Sequence, residues 1–563
     1  MAPQIEAGYP LAYLNDIVGC HSCARLKIIT ILTLIPLVLV VVFSRLFKPR
    51  MHPKEPQLVP SRIPFFGHNL SLLRNGPAAW LGFHMVQRLP IITLPTVVAN
   101  GKMYMVTSPK LITSVFANPD LQFLPILTEL IAPLAPLSAR QKRDLQSGIF
   151  LKWVTAVPRM LSGEVGRGIL HRTQHSFREQ LESLISTGLE VNDIGLWIRN
   201  TMSRAILKGF LGDVSWASDQ AFIQTVWDLE WNLDHFQCSP MPSVTASMSY
   251  KAREHAIDRI GAWLAAADQD PEAIDPATGT RRGSLSTMAL ELLAIVDDYP
   301  HWTPRDRGTL LLFVTHVALS NVVQTFFWTF THIYADPELV AAVRSEAQAA
   351  LELSITAGAH QDDKSLAALV QGKCPLLGAC FQETQRLVTS TPIIRHVAAD
   401  TIVTEGKGAQ EYLLRRGAFL FVPRTVVHND PEHWGSNAAE YRPQRFLMQR
   451  QQQWHDDDGE AGKSIGADAA ELKAPKRGSF IPFGGGKEIC PGRYISTSII
   501  LLTLAKLLTQ VDIEPSEETP IRDPGPGQMQ LTTIVWRIPA ATGWRGTLRR
   551  RGAGTPEGHL VYL

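Results

Sequence analysis

The stretch Phe480-Ile-Pro-Phe-Gly-Gly-Gly-Lys-Glu-Ile-Cys-Pro-Gly-Arg493 decides the fold, because it presents one thiol in a setting suited to a flat ligand. Gly484, Gly485 and Gly486 permit a tight turn and let backbone approach a macrocycle where a Cβ would clash. Pro491 follows Cys490 and leads into an apolar run from Tyr494 that reads as a helix. Proline suits a first helical position, so Cys490 is expected at a helix N-terminus. Unpaired amides and the positive end of the helix dipole stabilise a thiolate there, and a thiolate can hold haem iron. The plainer alternative is a buried cysteine beside a glycine turn.

Two upstream motifs favour the first reading. Glu383-Thr-Gln-Arg386 lies in a helix expected from Leu376 to Val388, and positions three apart share a helical face. Tyr441-Arg-Pro-Gln-Arg445-Phe446 adds a second arginine from a loop. Two arginines and one carboxylate can form a bidentate network that pins a loop to a helix. The succession E-x-x-R, P-x-R-F and F-x-x-G-x-x-x-C-x-G resembles the signature of the cytochrome P450 superfamily. That resemblance implies a mainly α fold with a small β-rich region. It also implies haem b, an iron protoporphyrin, with Cys490 as axial thiolate, Phe483 and Gly486 shaping the loop, and Glu383, Arg386 and Arg445 locking the segment before it. The partners it implies are NADPH-cytochrome P450 reductase, O2 and a small-molecule substrate.

Composition fits one large domain tethered to a membrane. The 54 basic and 52 acidic residues leave a net charge of +2, which gives no nucleic-acid footprint. Six cysteines without a regular framework argue against a disulfide-stapled secreted fold, and the lone Cys20-x-x-Cys23 pair reads as incidental. Residues 28–44 carry no charge and, as a helix, would span about 25 Å of a hydrocarbon core roughly 30 Å thick. Arg45, Lys48, Arg50 and Lys54 follow it, against Arg25 and Lys27 before it, so the bulk of the chain is expected on the cytosolic side. The expected organisation is a short non-cytosolic N-terminus over 1–27, a single transmembrane helix over 28–44, and a basic, proline-rich hinge over 45–64. A catalytic domain over 65–563 follows, with a polar surface insertion at 451–477. Localisation to the endoplasmic reticulum membrane follows from the resemblance.

Within the catalytic domain, Ile91 to Val98 and Lys102 to Thr107 read as strands joined by a turn at Ala99-Asn-Gly101. Helical spacing of apolar residues recurs over 170–187, 193–211, 219–236, 250–267 and 285–297, and a late strand is expected over Gln530–Ile538. Thr303 can cap a long helix to Tyr334, with Pro304 in its first turn and Asp306 complementing its dipole. Trp328 lies nine residues before Pro337, a spacing that resembles the helix crossing the distal haem face in the family. Counting back from Trp328, the family's acid–threonine pair becomes Ser320-Asn321. The alcohol of that pair helps deliver protons during oxygen activation, so Asn321 and Ser320 are the catalytic candidates. An asparagine at this point resembles the branch holding cholesterol 7α-hydroxylase and prostacyclin synthase. A structural alternative is an asparagine satisfied by the i−4 carbonyl of its own helix.

Propionate contacts are incomplete. Glu488 stands where the family has Arg or His, and Trp153-Val-Thr-Ala-Val157 lacks the family's arginine. Arg395, in Thr391-Pro-Ile-Ile-Arg395, matches the arginine that meets a propionate; His171 or Arg172, at an expected helix start, are substitutes for the missing contact. Leu311, Leu312, Phe313, Val314, Val317, Ala318 and Val322 offer an apolar wall, which favours a lipophilic substrate. The function expected is a membrane-bound monooxygenase hydroxylating a terpenoid, steroid-like or polyketide compound, with secondary metabolism as its setting. Alternatives are a reductase-independent peroxide isomerase or dehydratase on the same haem, and a non-catalytic haem sensor.

Overall fold

A computed structural model describes residues 38, 42, 51–60, 68, 89–96, 101–131, 134–185, 188–231, 233, 236, 239, 241–269, 285–356, 362–447, 475–476, 478–523 and 534–551. Almost all of the expected transmembrane helix and of the 451–477 insertion lies outside them.

The longer helices run in chain order as α1 (Pro109–Ala117), α2 (Phe150–Ser162), α3 (Glu164–Ile185), α4 (Ile194–Leu211), α5 (Gln220–Trp231), α6 (Ser247–Gln269) and α7 (Thr287–Asp297). They continue as α8 (Pro304–Ala318), α9 (Gln324–Tyr334), α10 (Pro337–Thr356), α11 (Asp363–Lys373), α12 (Pro375–Val388) and α13 (Arg493–Gln510). The strands are β1 (Ile91–Pro95), β2 (Lys102–Val106), β3 (Leu121–Gln122), β4 (Leu189–Val191) and β5 (Ile393–Val397). After them come β6 (Thr401–Thr404), β7 (Glu411–Leu414), β8 (Phe419–Val422), β9 (Val511–Pro515) and β10 (Gly546–Arg550). Five strands form one sheet in the order β1-β2-β8-β5-β3, three form another as β4-β10-β9, and β6 pairs with β7. The architecture is mostly helical with a small β region, as the sequence implies.

β1 and β2 are antiparallel, with Ile91 opposite Val106, and Gly101 takes a positive φ of 77° in their turn. The chain before them is already part of this sheet. Leu58 bridges Thr93, and Glu55 is buried in an ion pair with Lys102 at 2.7 Å while accepting from the Tyr104 hydroxyl at 3.1 Å. The C-terminal part of the expected hinge, from Glu55, is thus built into the fold. At the other end, the described residues of Gln530–Ile538 form no strand; Val535 makes an isolated bridge to Thr389.

α8 and α9 are one continuous rod broken by a π-helical turn over Leu319–Val323. Thr303 and Asp306 form a reciprocal capping box at its start. Pro304–Tyr334 is long and apolar enough to cross a membrane, but most of it is buried inside the protein, so it is a core helix. α6 lies against α8 where Gly261 and Gly308 face each other. A Cβ on Gly261 would come within 2.8 Å of the Arg305 Cα, so the two backbones touch only because both residues are glycine. Farther along, Trp328 is fully buried and donates to the Trp536 carbonyl at 2.9 Å.

Candidate active site

The loop carrying Cys490 is held in place by a buried ionic brace. Arg386 grips the Glu383 carboxylate with two nitrogens, Nε to Oε2 at 2.7 Å and Nη2 to Oε1 at 2.8 Å. Its remaining donors reach the carbonyls of His428 (2.7 Å), Ala438 (2.6 Å) and Glu440 (3.1 Å). Arg445 reaches Glu383 Oε1 at 3.3 Å and donates to the carbonyls of Trp434 (2.5 Å) and Asn437 (2.6 Å). All three charged side chains are fully buried. Each guanidinium is matched by a carboxylate and by carbonyls, which makes such burial tolerable. The two arginines therefore tie α12 to the 428–445 segment.

His428 links this brace to the thiolate loop. Its Nε2 accepts the Ile481 amide at 3.0 Å, so its Nδ1 carries the proton and donates to the Arg386 carbonyl at 3.1 Å. Burial and the neighbouring Arg424 and Arg386 guanidiniums hold it neutral, far below its ordinary range. Arg424 is buried as well, donating to the Ile481 carbonyl at 3.2 Å and the Thr391 carbonyl at 2.6 Å. Burial brings its pKa down to about 10, with Arg395 pushing the same way and Cys490 opposing. Neither residue is marked in the sequence by an internal repeat or ligand spacing; only the tertiary contact reveals them.

Cys490 is half-buried at the end of the loop, and its amide donates to the Phe483 carbonyl at 3.0 Å. The helix that follows does not start at Pro491. It starts at Arg493 with Gly492 as N-cap, because Pro491 and Gly492 are used in a turn. Cys490 still benefits: the Gly492 and Arg493 amides and the Arg424 and Arg493 guanidiniums favour its thiolate. Burial outweighs them in the protein alone and raises the thiol above its ordinary value. Gly484 and Gly486 have positive φ values of 74° and 70°. Their neighbourhood differs from the expected approach to a macrocycle, since a Cβ on Gly485 or Gly486 would run into Phe116 of α1.

Arg395 leaves β5 toward the same loop, where its Nε pairs with Glu488 at 2.9 Å and its Nη2 reaches the Gly485 carbonyl at 3.4 Å. Glu488 also accepts the Phe123 amide at 2.7 Å. The acid in the unusual position is thus the partner of the arginine expected to meet a propionate. His171 and Arg172 are engaged with other partners. Both lie within α3, where His171 is exposed beside Asp363 and Arg172 donates to the Gly209 carbonyl. α3 begins at Glu164, several residues before the expected start.

On the core helix, Asn321 sits in the π turn and donates from Nδ2 to the Val317 carbonyl at 2.9 Å. This is the i−4 bond of the structural alternative, yet it uses only half of the amide: Asn321 Oδ1 is buried without a partner. Ser320 is buried and accepts from Asn321 Nδ2 at 3.4 Å. Val317 is 42% exposed although His316 and Ala318 beside it are buried, so this stripe of the rod borders open space.

These residues fit a haem group. An apolar and amide-bearing stripe faces open space, a coordinating thiol is flanked by two amides, and metal binding would overcome the burial that opposes its ionisation. Trp153, on α2, has its buried Nε1 without a partner, a donor suited to an anionic edge.

The Cytochrome P450 family model matches residues 319–537, the part that holds the π turn, the brace and the thiolate loop. A cytochrome P450 monooxygenase of Gibberella zeae is 25% identical over 89% of this chain and 86% of its own length. A 5-beta-cholestane-3-alpha,7-alpha-diol 12-alpha-hydroxylase of Sus scrofa is 31% identical over 37% of this chain and 40% of its own. The fold is similar to a retinoic acid bound cyanobacterial CYP120A1, with a TM-score of 0.59 at 17% identity, over 88% of this chain and 99% of that one. The chain belongs to the cytochrome P450 superfamily. It is a cytochrome P450 monooxygenase, an oxidoreductase whose family holds haem iron through a cysteine thiolate.

Proposed function

We propose that this monooxygenase is membrane-tethered and hydroxylates a lipophilic small molecule, terpenoid, steroid-like or polyketide in character, in secondary metabolite biosynthesis. Haem b supplies, when bound, the iron at which O2 is activated with electrons from NADPH-cytochrome P450 reductase. Cys490 would hold its iron, Phe483 and Gly486 would shape the loop that carries this thiol, and Arg395 and Trp153 Nε1 would meet its anionic edge. The Val317–Asn321 stripe borders the substrate, with Val317 excluding water and Asn321 and Ser320 holding polar contacts for proton delivery. The observation that carries this reading is the Cys490 thiol, set among two amides and two guanidiniums at the end of a loop locked by the Glu383–Arg386–Arg445 brace. A sterol hydroxylase among the relatives supports a steroid-like substrate.

Membranes containing the protein, incubated with reductase, NADPH and labelled oxygen gas, should place label in a lipid extract. Reductase-independent peroxide turnover without label would favour the isomerase instead. Residues 28–44 are the single-pass anchor in the endoplasmic reticulum, with the catalytic domain in the cytosol. Deleting residues 1–48 should release the protein from membranes with haem retained, because the docked segment, which includes Lys54 and Glu55, lies after the deletion. Loss of haem on truncation would place the N-terminus within the fold.

A further inference from the structure

The π turn of the core helix is spanned from outside by a buried acid. Glu230, in the last turn of α5, is 2% exposed, and its two carboxylate oxygens face the two ends of the π turn. Oε2 lies 3.1 Å from His316 Nδ1, one turn before the π segment. Oε1 accepts Gln324 Nε2 at 3.0 Å, at the first residue beyond that segment. His316 is buried too, and Gln324 completely so. The His316 contact lies at ion-pair distance but makes no hydrogen bond, so Glu230 Oε2 is itself a buried acceptor left open.

Two more buried acceptors on the core helix have no donor, Gln324 Oε1 and Asn321 Oδ1. They belong to residues three apart on the same helix, at the π turn. A buried carbonyl without a donor costs roughly 1–3 kcal/mol, and native proteins meet that cost with ordered water where several polar atoms converge. π turns of this kind recur at functional sites.

We propose that Glu230, with His316 and Gln324, is a positioning and proton-holding cluster for oxygen activation. In it, ordered water between Gln324 Oε1 and Asn321 Oδ1 connects Glu230 to the open side of the π turn. The inference rests on the monooxygenase reading above. Asn321 has no titratable proton, and Glu230 supplies from α5 the acid that the core helix lacks. In each transfer the O–H bond of protonated Glu230 breaks as an O–H bond forms on the held water, that water gives up one of its own protons toward the open side, and a proton from bulk solvent restores Glu230. Glu230 does not touch substrate; it acts through water and Asn321.

The test has two independent measurements. A high-resolution crystal structure of the holoenzyme should show water bonded to both Gln324 Oε1 and Asn321 Oδ1. In reductase-driven turnover, Glu230→Gln should retain haem, the carbon-monoxide difference band and substrate-induced spectral change. Its labelled product per NADPH consumed should fall about tenfold, below the typical 10²–10⁴-fold worth of direct acid–base assistance because the residue acts at one remove. Peroxide should account for the difference, and the solvent isotope effect on product formation should rise. Glu230→Asp, which keeps an acid, should recover part of the coupling. A dry site in the crystal overturns the proposal even if the variants do not fold, and unchanged coupling with an unchanged isotope effect in Glu230→Gln overturns it whatever the crystal shows. A wild-type protein that lacks the thiolate difference band, or places no label in product, would instead remove the monooxygenase reading on which the inference rests.

Discussion

The brace behind the thiolate loop and the π turn of the core helix are both buried and both polar, yet they settle their polar groups in opposite ways. Around Glu383 the Arg386 and Arg445 guanidiniums meet the carboxylate and five backbone carbonyls between them. Around the π turn, Asn321 Oδ1 and Gln324 Oε1 are left with none. A satisfied network rigidifies, because moving any member exposes a charge to a low-dielectric interior. An open one holds places for water and for proton movement. The first region sets loop geometry; the second, on the function proposed above, serves the chemistry.

Replacing Cys490 with Ala removes the thiol on the loop that the brace holds in place. The expected result is loss of the carbon-monoxide difference band and of all labelled product; a retained band would separate the loop from iron binding. The brace itself is probed by Arg386→Lys, which keeps the charge but loses the planar fork and several carbonyl partners. Breaking a buried pair costs about 3–5 kcal/mol, so haem-loaded yield and denaturation midpoint should both collapse. Normal values would mean the fork is dispensable and the contrast with the π turn is false.

Acid should distinguish the regions less directly. His428, inside the brace, and His332, whose burial brings its pKa down to about 4 despite Asp523, both stay neutral in the folded protein. Because their folded pKa values lie below the ordinary 6.5, they add stability above that pH, and it is lost as pH falls from about 6.5 through about 4. Urea midpoints taken between pH 7 and pH 4.5 should therefore decline, and a His428→Gln variant that folds should decline less steeply. A flat wild-type profile would show that neither histidine is held neutral.

Asn321→Ala should be milder for folding and selective for chemistry. It removes the Val317 bond and the open Oδ1, so haem content should hold while product per NADPH falls and peroxide rises. Asn321→Thr should retain part of the coupling. Equal coupling in Asn321→Ala would take this residue out of proton delivery. The smallest effect is expected where the core helix is merely packed. Gly261→Ala drives a Cβ toward the Arg305 backbone and should cost about 1–3 kcal/mol, as overpacking does, read as a lower melting temperature with coupling unchanged.

The parts legible in sequence are those written by short-range geometry. Glu383 and Arg386 are three apart on a helix, Thr303 and Asp306 make a cap within one turn, and Gly101 turns a hairpin. In each case neighbouring residues determine the contact. Asn321 stands out by its count from Trp328, and its i−4 bond is one that a helical asparagine makes with its own backbone. Less was visible wherever a partner comes from far along the chain. The α13 start moved from Pro491 to Arg493 because the loop closes through a turn before the helix begins. The close packing expected of a macrocycle at Gly485 and Gly486 is made with Phe116. His171 and Arg172 lie seven and eight residues inside a helix that starts at Glu164, and their side chains turn to other partners.

The sequence by itself determined the class of protein, because a thiol in a glycine loop, a carboxylate–arginine pair one helical turn apart and a second arginine before the loop are chemical requirements expressed in fixed order and spacing. Tertiary structure alone decided the electrostatics around them. It gave Arg395 to Glu488, set His428 as a neutral link between α12 and the thiolate loop, and brought Glu230 across to both ends of the π turn. Those contacts join residues tens to hundreds of positions apart, and whether a buried charge is paired or an acceptor left open depends on the packing of whole helices, which no local pattern encodes.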